Sequence, residues 1–455
     1  MTLINKIYNN IPIPLQNLAV TLEGMRINRQ RYNKNYKKIL LDYLESDTFS
    51  IEKIRKTRLL KLKQLLIFAN ENSNYYKELF SQKKFDPRNL QSEEELKVLP
   101  VLSKNEIKAF YKDIVISKLK NERIFYTHTS GTTGSGLVFP ITGKFSDHQW
   151  AVWWRNRLRH GIMQDDWCGY FGGRSIVPIN QSIPPFFRTN LAGKQIMFSA
   201  YHINEKNLES YISKLSSSKV QWIHGYPSVI TLLAGYILTK NLKSKLSIKK
   251  ISLGAENLSL FQKTLIQKAF NVNPIQHYGL AEGVANISEL ENGRFRVDED
   301  YSFVEFIKKE NNQHQIVGTS LTNYAFPLIR YSTGDLATLD NVDKNGWRYV
   351  QDIDGREEDY IILSDNSKVG RLDHIFKDIT KIKECQFVQY EIGAVDLMIV
   401  KSHEFSQIDE QQIRKYVNSY LGNKIVLTIK YVDKIEKTSN GKLRFVVSKV
   451  KNKKN

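Results

Sequence analysis

The first part of the chain carries apolar residues at helical spacing. Between residues 50 and 109 the apolar positions recur near the 3.6-residue period of an α-helix, and Lys and Arg fill the positions between them. The clearest run is formed by Ile51, Ile54, Leu59, Leu62, Leu65 and Leu66. This pattern predicts amphipathic helices, and we expect residues 1–120 to be largely helical.

From about Ile124 onward the apolar residues form short runs that Gly, Pro, Asn and Ser separate. Helical stretches, such as residues 209–215 and 260–270, alternate with these runs. Strands that alternate with helices are typical of α/β layers. We therefore predict a large N-terminal domain of layered sheets and helices, residues 1–355.

Beyond Arg356 the pattern is that of a small separate domain. Strand-like runs occur at residues 359–363, 386–389, 397–400 and 426–432, and a helix-like segment lies at residues 408–421. A domain of about 100 residues is large enough to pack independently. The predicted fold class is therefore α/β followed by α+β, with the small C-terminal domain at residues 356–455.

Composition narrows the class of protein. Of 455 residues, 41% are hydrophobic and 25% are charged, so we expect a folded globular protein rather than a disordered one. The two cysteines, Cys168 and Cys385, exclude a disulfide framework and a four-cysteine zinc site. The longest apolar stretches, such as residues 229–238, are shorter than the ~20 residues of a membrane-spanning helix. Residues 1–10 lack the apolar region of a signal peptide, and we expect a cytoplasmic protein.

The net charge of +20 arises from 67 Lys and Arg residues against 47 Asp and Glu residues. Such a charge is compatible with a nucleic acid, an anionic membrane or an anionic substrate as partner. The basic residues are scattered rather than gathered in one stripe with aromatic residues, so we predict no nucleic-acid binding. Peripheral membrane contact through residues 7–22 stays an alternative, although Pro12 and Pro14 interrupt that segment.

A segment rich in Gly, Ser and Thr, residues 129–136, carries the strongest local signal. It reads Thr-Ser-Gly-Thr-Thr-Gly-Ser-Gly, and apolar runs on both sides predict a loop between two strands. Glycines allow backbone N–H groups to approach an anion, and hydroxyl side chains add donors for phosphate oxygens. The segment is not a Walker A loop, because no Gly-Lys-Ser/Thr ends it. A turn without a ligand is the alternative.

Further polar motifs follow along the chain. Tyr278 offers an aromatic face for a base, and Glu282 offers a carboxylate that suits Mg²⁺. Asp335 stands in a predicted turn and suits two ribose hydroxyls, and Lys442 lies on a polar loop at residues 437–444. Each residue alone has a structural alternative, such as a solvated turn or a surface lysine. Their combination is more specific than any one of them.

This combination resembles the adenylate-forming ligase superfamily, in particular the phenylacetate–coenzyme A ligase family. The matching motifs are Thr-Ser-Gly-Thr-Thr-Gly at 129–134, Gly-Ala-Glu at 254–256, Tyr-Gly-x-x-Glu at 278–282, Tyr-x-Thr-Gly-Asp at 331–335, Gly-Arg at 355–356 and Gly-Lys-x-Arg at 441–444. The last motif has one residue fewer than the family pattern. The similarity runs from end to end. The segments that look like the branch of capsular polysaccharide biosynthesis proteins are residues 8–24, 199–202, 224–228 and 326–331.

The resemblance implies ATP-dependent activation of a small carboxylic acid. The acid would attack the α-phosphorus of ATP, pyrophosphate would leave, and the acyl-adenylate would pass its acyl group to coenzyme A, a carrier protein or an amino sugar. Lys442 and Glu282 would be the catalytic residues, and Glu282 with the hydroxyl of Thr133 or Thr132 would hold Mg²⁺. The residues implied to bind ATP are Thr129, Ser130, Gly131, Thr132, Thr133 and Gly134 at the phosphates, Gly254, Ala255, Glu256, Tyr278 and Gly279 at the adenine, and Asp335 and Arg356 at the ribose.

The family also implies a mobile C-terminal domain that rotates between the two half-reactions. Its hinge would be Glu358, next to the boundary that the sequence pattern predicts at residues 355–356. The acid pocket would be lined by His202, His224, Gly225 and Tyr226, although either histidine also suits a structural position.

One departure from the family pattern keeps other functions open. A lysine often follows Thr-Thr-Gly in the family, but Ser135 stands at that position here. A non-catalytic nucleotide-binding protein of the same fold is therefore one alternative. Independently of this departure, a related enzyme is a further alternative: an adenylyltransferase that leaves AMP on its product.

Overall fold

The structure is a computed structural model. It describes residues 3–116, 119, 122–128, 137–174, 176–178, 181–203, 206–243, 246–258, 260–309, 313–356, 360–365, 368–369, 382–421, 424–437 and 443–450. Within these segments no helix is both long and apolar enough to cross a lipid bilayer. The chain forms two compact units. Unit 1 comprises Met1–Met25, Asp165–Gln276 and Asp354–Asn455, and unit 2 comprises Arg26–Gln164 and His277–Ile353.

The N-terminal segment is helical. Its helices are α1 (Leu3–Asn10), α2 (Ile13–Arg31), α3 (Lys34–Ser46), α4 (Ile51–Asn72), α5 (Asn74–Gln82), α6 (Lys104–Ala109) and α7 (Tyr111–Ile114), with 3₁₀ turns at Pro87–Asn89 and Glu93–Val98. Short polar side chains start several of them: Ser50 caps α4, and Ser103 with Glu106 forms a capping box at α6. Helix α4 buries Leu62 and Leu65, two of the leucines whose spacing predicts it.

Strands and helices alternate after this segment. In chain order they are β1 (Ile124–His128), β2 (Val138–Thr142), α8 (Gly143–Arg159), β3 (Cys168–Phe171), β4 (Phe187–Asn190), β5 (Gln195–Phe198), α9 (Leu208–Ser216), β6 (Trp222–Gly225), α10 (Pro227–Thr239), β7 (Lys250–Gly254) and α11 (Leu260–Phe270). A strand-rich region follows with β8 (Pro274–Gly279), β9 (Asn286–Glu289), β10 (Phe295–Val297), β11 (Ser302–Lys308), β12 (Gln313–Ser320), β13 (Tyr331–Leu339) and β14 (Tyr349–Arg356). Strand β14 continues to Arg356, and the domain boundary predicted there stays a prediction.

The C-terminal residues form a small sheet with one helix. The elements are β15 (Ile361–Ile362), β16 (Lys368–Val369), β17 (Ile382–Glu391), β18 (Ala394–Lys401), α12 (Gln407–Leu421), β19 (Val426–Tyr431) and β20 (Val446–Ser448). The strand order is β19-β18-β17-β20, with an antiparallel central pair and outer strands parallel to their neighbours. Ile413 and Val417 of α12 join Phe387, Leu397 and Ile399 in a buried apolar cluster. The predicted α+β arrangement is therefore present.

Unit 1 also contains a mostly parallel sheet. Its strands follow the order β7-β6-β3-β5-β4, in which β4 is antiparallel to β5 and pairs with no other strand among the described residues. Helix α10 lies in the apolar core of this unit and buries Val229, Ile230 and Leu233 completely. Parallel strands are typically covered by such helices, because both faces of the sheet are apolar.

Unit 2 contains an antiparallel sheet. Its strands follow the order β11-β12-β13-β14-β10-β9, and β9 pairs with the end of β8 from His277 to Gly279. The apolar side chains of Ile287, Val297, Val304 and Ile316 pack together in its core. Layered sheets with helices, followed by a small α+β sheet, confirm the predicted fold class.

Candidate active site

Several predicted site residues lie outside the described part of the chain. They are Thr129, Ser130, Gly131, Thr132, Thr133, Gly134, Glu358 and Lys442, together with the side chain of Arg356. Strands β1 and β2 are described, and they pair antiparallel from Ile124 opposite Thr142 to His128 opposite Val138. The prediction that two strands flank residues 129–136 is therefore confirmed.

The Gly-Ala-Glu motif at residues 254–256, which is predicted to border adenine, begins at the last residue of β7. Its central residue, Ala255, has a φ angle of +68°, in the left-handed region that residues with a Cβ rarely adopt. This conformation costs an alanine about 1–2 kcal/mol relative to the right-handed region. Such strain persists where neighbouring contacts determine the backbone, and it is common at functional sites.

The side chain of Glu256 makes contacts that hold this turn. Its Oε2 accepts a hydrogen bond from the backbone N–H of Ser228 at 3.0 Å, and its Oε1 accepts one from Ser228 Oγ at 3.1 Å. Ser228 lies in the first turn of α10, where the N–H groups lack partners within the helix and the dipole favours a negative charge. Oε1 also accepts a hydrogen bond from the backbone N–H of Leu443 at 3.2 Å. The carboxylate thus links residues 254–256 to the residue that directly follows Lys442.

The segment that begins at Leu443 is also attached to the small C-terminal sheet. The side-chain amide of Gln386 donates to the carbonyl of Arg444 at 2.8 Å, and the N–H of Phe387 donates to the carbonyl of Phe445 at 2.8 Å. The rings of Phe387 and Phe445 lie 5.7 Å apart in an edge-to-face contact. Glu256 and strand β17 therefore hold successive residues of one short segment.

Tyr226, a predicted residue of the acid pocket, lies just before α10. Its hydroxyl accepts a hydrogen bond from the N–H of Gly173 at 3.1 Å, and the Tyr201 hydroxyl donates to the carbonyl of Gly173 at 3.0 Å. Burial raises the pKa of Tyr226 well above its usual value, and Tyr170 and Glu256 nearby raise it further. Tyr226 is therefore a neutral hydroxyl at physiological pH.

His224 and Gly225 end strand β6, and they lie at the carboxyl end of the parallel sheet. The Nδ1 atom of His224 is 3.3 Å from Ser252 Oγ, and its ring lies 5.8 Å from the ring of Tyr170. Ligands in open α/β sheets bind outside the carboxyl ends of the strands. The position of His224 is therefore compatible with its predicted place in the acid pocket.

His202 has different surroundings. It is buried, its Nδ1 atom lies 2.7 Å from Ser199 Oγ, and its ring stacks on Phe186 with centroids 4.9 Å apart. Its carbonyl accepts a hydrogen bond from the side chain of Asn207. These contacts favour the structural role that the sequence left open for this histidine.

In unit 2 the structure brings two predicted nucleotide-binding residues together. Tyr278 stands near the end of β8, and its hydroxyl donates a hydrogen bond to Asp335 Oδ2 at 2.8 Å. The two residues are 57 positions apart in the sequence. Next to Tyr278, a Cβ on Gly279 would lie 2.8 Å from His277 Cε1 and 3.0 Å from Trp153 Nε1, so a side chain at that position requires these neighbours to move.

Asp335 lies on strand β13, and the prediction that it stands in a turn is wrong. The pairing of β13 with β12 is irregular here: Gln315 pairs with Leu336, but Val317 pairs with Ser332. Gly334, in the middle of the irregular stretch, has a φ angle of +74°. The Thr-Gly-Asp sequence that suggests a turn therefore forms a β-bulge, a device that redirects a side chain within a strand.

Glu282 lies in the loop that follows β8, and it is buried. The side-chain amide of Gln149 fixes this loop because it donates to the carbonyls of Leu280 and Ala281 at 3.0 and 3.3 Å. In the described segments no group of three His, Cys, Asp or Glu side chains is arranged to hold a metal ion. A Mg²⁺ ion at Glu282 would therefore need phosphate or water oxygens among its ligands, which is usual for this ion.

Sequence reasoning missed several residues that support these positions. Gln149, Trp153 and His277 surround the 278–282 motif, and Ser228 binds Glu256. Burial lowers the pKa of His277 to about 4, so the ring is neutral, and its Nε2 lies 2.9 Å from Asn286 Oδ1. The sequence predicts no role for any of the four, although Ser228 stands in the segment 224–228, because the contribution of each depends on the fold.

The fold is that of an acyl–coenzyme A ligase. The crystal structure of 2-hydroxyisobutyryl-CoA ligase in the postadenylation state matches 88% of this chain and 90% of its own, with a TM-score of 0.69 and 18% identical residues. An open conformation of that ligase matches 88% of this chain and 92% of its own with a TM-score of 0.55 and 18% identity.

Proteins that are similar to this chain in sequence narrow its class of protein further. Protein CapK of Staphylococcus aureus is 27% identical over 461 residues, which cover 99% of this chain and 100% of that protein. Phenylacetate-coenzyme A ligase of Pseudomonas putida is 24% identical over 84% of this chain and 91% of that protein. Residues 361–449 match the family model of the CapK C-terminal domain.

The chain is homologous to CapK, to phenylacetate–coenzyme A ligases and to other acyl–coenzyme A ligases of the adenylate-forming superfamily. The resemblance that its motifs carry is therefore confirmed. The phenylacetate–coenzyme A ligases among these homologues indicate that the protein is an adenylate-forming ligase.

Proposed function

We propose that the protein activates a small carboxylic acid with ATP and then transfers the acyl group to coenzyme A, in the biosynthesis of a surface polysaccharide. The acid attacks the α-phosphorus of ATP and expels pyrophosphate, and the thiol then displaces AMP from the acyl-adenylate. Both reactants of the first step are anions, so charge neutralisation and alignment are the main catalytic tasks.

The observation that carries this proposal is the hydrogen bond between Tyr278 and Asp335. It unites an aromatic ring suited to an adenine base with a carboxylate suited to ribose hydroxyls, and both residues belong to motifs that the resemblance assigns to those groups. Asp335 is buried in a bulged strand, which fixes the direction of its side chain. A single nucleoside could therefore contact both residues.

The remaining predicted residues take the roles that the resemblance implies. Residues 129–134 would hold the phosphates, and Glu282 with the hydroxyl of Thr133 would hold Mg²⁺, which neutralises phosphate charge when it is bound. Lys442 would donate to the oxygens at which negative charge develops, and a preorganised donor of this kind typically contributes about 3–4 kcal/mol to catalysis. Tyr226 and His224 would contact the acid, and Glu358 would be the hinge.

Coenzyme A is the acceptor that we propose, because several homologues are named as coenzyme A ligases. The capsular role rests on the homologue CapK, which matches this chain over 99% of its length. We also propose a cytoplasmic location, where ATP and coenzyme A are available. If the acceptor is a carrier protein or an amino sugar, an assay that supplies acceptors and follows AMP will show it, because AMP is then released with that acceptor instead of coenzyme A.

The test is acid-dependent exchange of pyrophosphate into ATP, across a panel of aryl, fatty, hydroxy and amino acids. We expect exchange with one class of acid and a loss of about 100-fold to 1,000-fold in Lys442→Ala, as for removal of one preorganised donor. Glu282→Ala should lose exchange and lower the apparent affinity for Mg²⁺. Matched controls are Lys449→Ala and Glu404→Ala, which change exposed residues of the small C-terminal sheet and its neighbouring loop.

The second half of the assay supplies acceptors and follows AMP. Release of AMP with acyl–coenzyme A as product supports the proposal, whereas AMP retained on the product indicates an adenylyltransferase. ATP binding without exchange for any acid would favour the non-catalytic alternative that Ser135 raises. Failure to bind ATP would contradict the proposal as a whole.

A further inference from the structure

The part of helix α2 that belongs to unit 1, residues 13–25, packs on the rest of that unit with a polar face. Its buried residues are Gln16, Thr21 and Gly24. The Oδ1 atom of Asn17 accepts a hydrogen bond from the N–H of Thr189 at 2.9 Å, and Thr21 Oγ1 donates to the carbonyl of Thr189 at 3.3 Å. Thr189 lies on β4, the strand with an open edge, whose outward N–H and C=O groups need partners. The inward face of α2 is polar because its side chains satisfy that strand edge.

The outward face of α2 is apolar. Leu15, Leu18, Leu22 and Met25 are each 44–55% exposed, and they follow at intervals of three and four residues, which places them on one face of the helix. We call these four residues the α2 stripe. Leu191, whose backbone N–H binds Thr21, adds another exposed apolar side chain beside it. Soluble proteins rarely leave a continuous apolar stripe uncovered unless it binds a partner.

The charge next to the α2 stripe indicates which partner fits. The same helix face continues with Arg26 and Arg29, both exposed, and the helix carries three arginines against one glutamate, Glu23. The chain as a whole has a net charge of +20. The exposed leucines are able to enter the boundary between headgroups and acyl chains, and the guanidinium groups at the C-terminal end of the same face are able to pair with lipid phosphates, so an anionic bilayer surface fits both. A second copy of this chain would bring like charges together and fits less well.

We propose that the α2 stripe docks the protein on a membrane surface that contains anionic lipids. The helix lies flat in the interface, its leucines enter the boundary between headgroups and acyl chains, and Arg26 and Arg29 contact the headgroups. The contact is peripheral, and it does not depend on the catalytic proposal. Its polar inner face keeps α2 attached to β4 while the outer face is buried in lipid.

The test is sedimentation of the full chain with vesicles of phosphatidylcholine alone, or of phosphatidylcholine and phosphatidylglycerol in equal parts. We expect binding to the anionic vesicles that weakens with added salt. The double variant Leu18→Gln/Leu22→Gln should bind at least about tenfold more weakly, because two leucines no longer enter the apolar layer. Arg26→Gln and Arg29→Gln should each weaken binding about fivefold and only on anionic vesicles.

A matched control is Leu41→Gln/Leu60→Gln, which changes two exposed leucines on α3 and α4. It should bind vesicles like the original chain. Equal binding by the α2 variant and the control would overturn the proposal, and so would absence of binding by the original chain. The alternative partner is a second copy of the chain, and light scattering without vesicles tests it by measuring the mass in solution. If the original chain is a dimer and the α2 variant is a monomer, the α2 stripe serves self-association, and the membrane proposal is overturned.

A different observation concerns Glu256, which the resemblance places beside adenine. Its carboxylate accepts hydrogen bonds from Ser228 and from the N–H of Leu443, the residue directly after Lys442 in the sequence. In these contacts Glu256 holds the backbone next to Lys442 and does not need to touch the nucleotide in order to affect adenylation. The geometry points to Glu256 as a positioning residue, which anchors Leu443 during adenylation. This inference rests on the proposed function.

The test separates the two half-reactions. In Glu256→Ala we expect pyrophosphate exchange to fall about tenfold or more through kcat, with little change in the KM for ATP, while acyl transfer from a supplied acyl-adenylate is retained. Glu256→Gln, which keeps one acceptor oxygen, should restore part of the exchange. Ser228→Ala, which leaves the contact with Leu443 in place, should have a smaller effect.

An increase in the KM for ATP with unchanged kcat would overturn the positioning role and favour direct adenine contact. An equal loss of both half-reactions would overturn it as well, because general misfolding acts on both. If the original chain itself shows no exchange, the proposed function fails. Exchange in the original chain with no change in Glu256→Ala contradicts only the role of Glu256.

Discussion

Arg155 in unit 2 and Arg188 in unit 1 are both buried, with exposed fractions of 1% and 0%, but their partners differ. Arg155 donates to carboxylates, at 2.7 Å to Asp298 and at 2.6 and 2.9 Å to Asp300. Arg188 donates to neutral oxygens, at 2.6 Å to Gln16 and at 2.9 Å to Gln181 and to the carbonyl of Pro185. Burial lowers the pKa of Arg188. Burial also acts to lower the pKa of Arg155, but the negative charges of Asp300 and Asp298 outweigh this effect, and the pKa of Arg155 is raised.

The difference shows that these two buried arginines fix helices by different means. In unit 2 the acidic segment 298–300 joins several helices: Ser46 on α3 donates to Asp300, Arg58 on α4 pairs with Glu299, and Arg155 lies on α8. In unit 1 Arg188 joins α2 to a strand edge through neutral hydrogen bonds. Charge pairs stabilise only while both partners are present, whereas neutral hydrogen bonds are individually weaker and less sensitive to the loss of one partner.

Removal of the Arg155 guanidinium in unit 2 should lower the free energy of unfolding more than any other change that we propose. Arg155→Met leaves the carboxylates of Asp298 and Asp300 buried without their main counter-charge, and we expect the free energy of unfolding to fall by about 3–5 kcal/mol. Urea denaturation measures this change. The control Arg414→Met removes an exposed pair with Glu410 and should cost at most about 0.5 kcal/mol. A loss below about 1 kcal/mol in Arg155→Met would contradict the comparison.

The matching change in unit 1 should cost less. Arg188→Met leaves neutral acceptors without a donor, and we expect a loss of about 1–3 kcal/mol in the same denaturation experiment. Because Arg188 binds Gln16, the variant should also expose α2 to proteases sooner than the rest of the chain. A loss as large as that of Arg155→Met would show that charge pairing is not the distinguishing feature.

The fold could be predicted wherever apolar residues face a core. The helix expected at residues 260–270 occupies Leu260–Phe270, and the one expected at 408–421 occupies Gln407–Leu421. In such helices the apolar period reports burial directly. Helix α2 could not be interpreted in this way, because its buried face is polar and serves a strand edge. The segment 298–300 has the composition of a solvated loop, and only the arginines supplied by other elements explain its burial.

The candidate site was predictable in its motifs but less so in its contacts. The order of the motifs selects Tyr278 and Asp335, and the structure brings them into contact. The hydrogen bond between Glu256 and Leu443 joins residues 187 positions apart through a backbone N–H. Almost every residue has such a group, so the sequence carries no sign of this contact.

A change of pH should affect unit 2 through histidines whose pKa is lowered by burial, among them His148 and His277. Burial lowers the pKa of His277 to about 4. As pH falls below about 6.5, the unfolded chain binds a proton that the folded chain does not, so stability is lost progressively down to about pH 4. Asp147 acts with the opposite sign, because burial raises its pKa to about 6 and its contribution is lost as pH rises from about 4 to 6.

The measurement is the difference in unfolding free energy between pH 7 and pH 4.5. His277→Gln removes the titrating ring, and we expect this difference to shrink by about 1–2 kcal/mol relative to the original chain. The control His403→Gln changes an exposed histidine and should leave the difference unchanged. An unchanged difference in His277→Gln would mean that the ring binds its proton at the same pH in the folded chain as in the unfolded chain, which would contradict the lowered pKa.

The smallest effect is expected in unit 1, at the strained turn before Glu256. Ala255→Gly removes the steric cost of a positive φ angle but increases the freedom of the unfolded chain, so we expect a gain of about 0–1 kcal/mol in unfolding free energy. Ala234→Gly inside α10 is the control, and it should lose about 1 kcal/mol because glycine is unfavourable in a helix. Opposite signs in the two variants would separate strain from the general effect of glycine. A loss in both would mean that Ala255 is not strained, and that the hydrogen bonds to the Glu256 carboxylate hold the turn at no conformational cost.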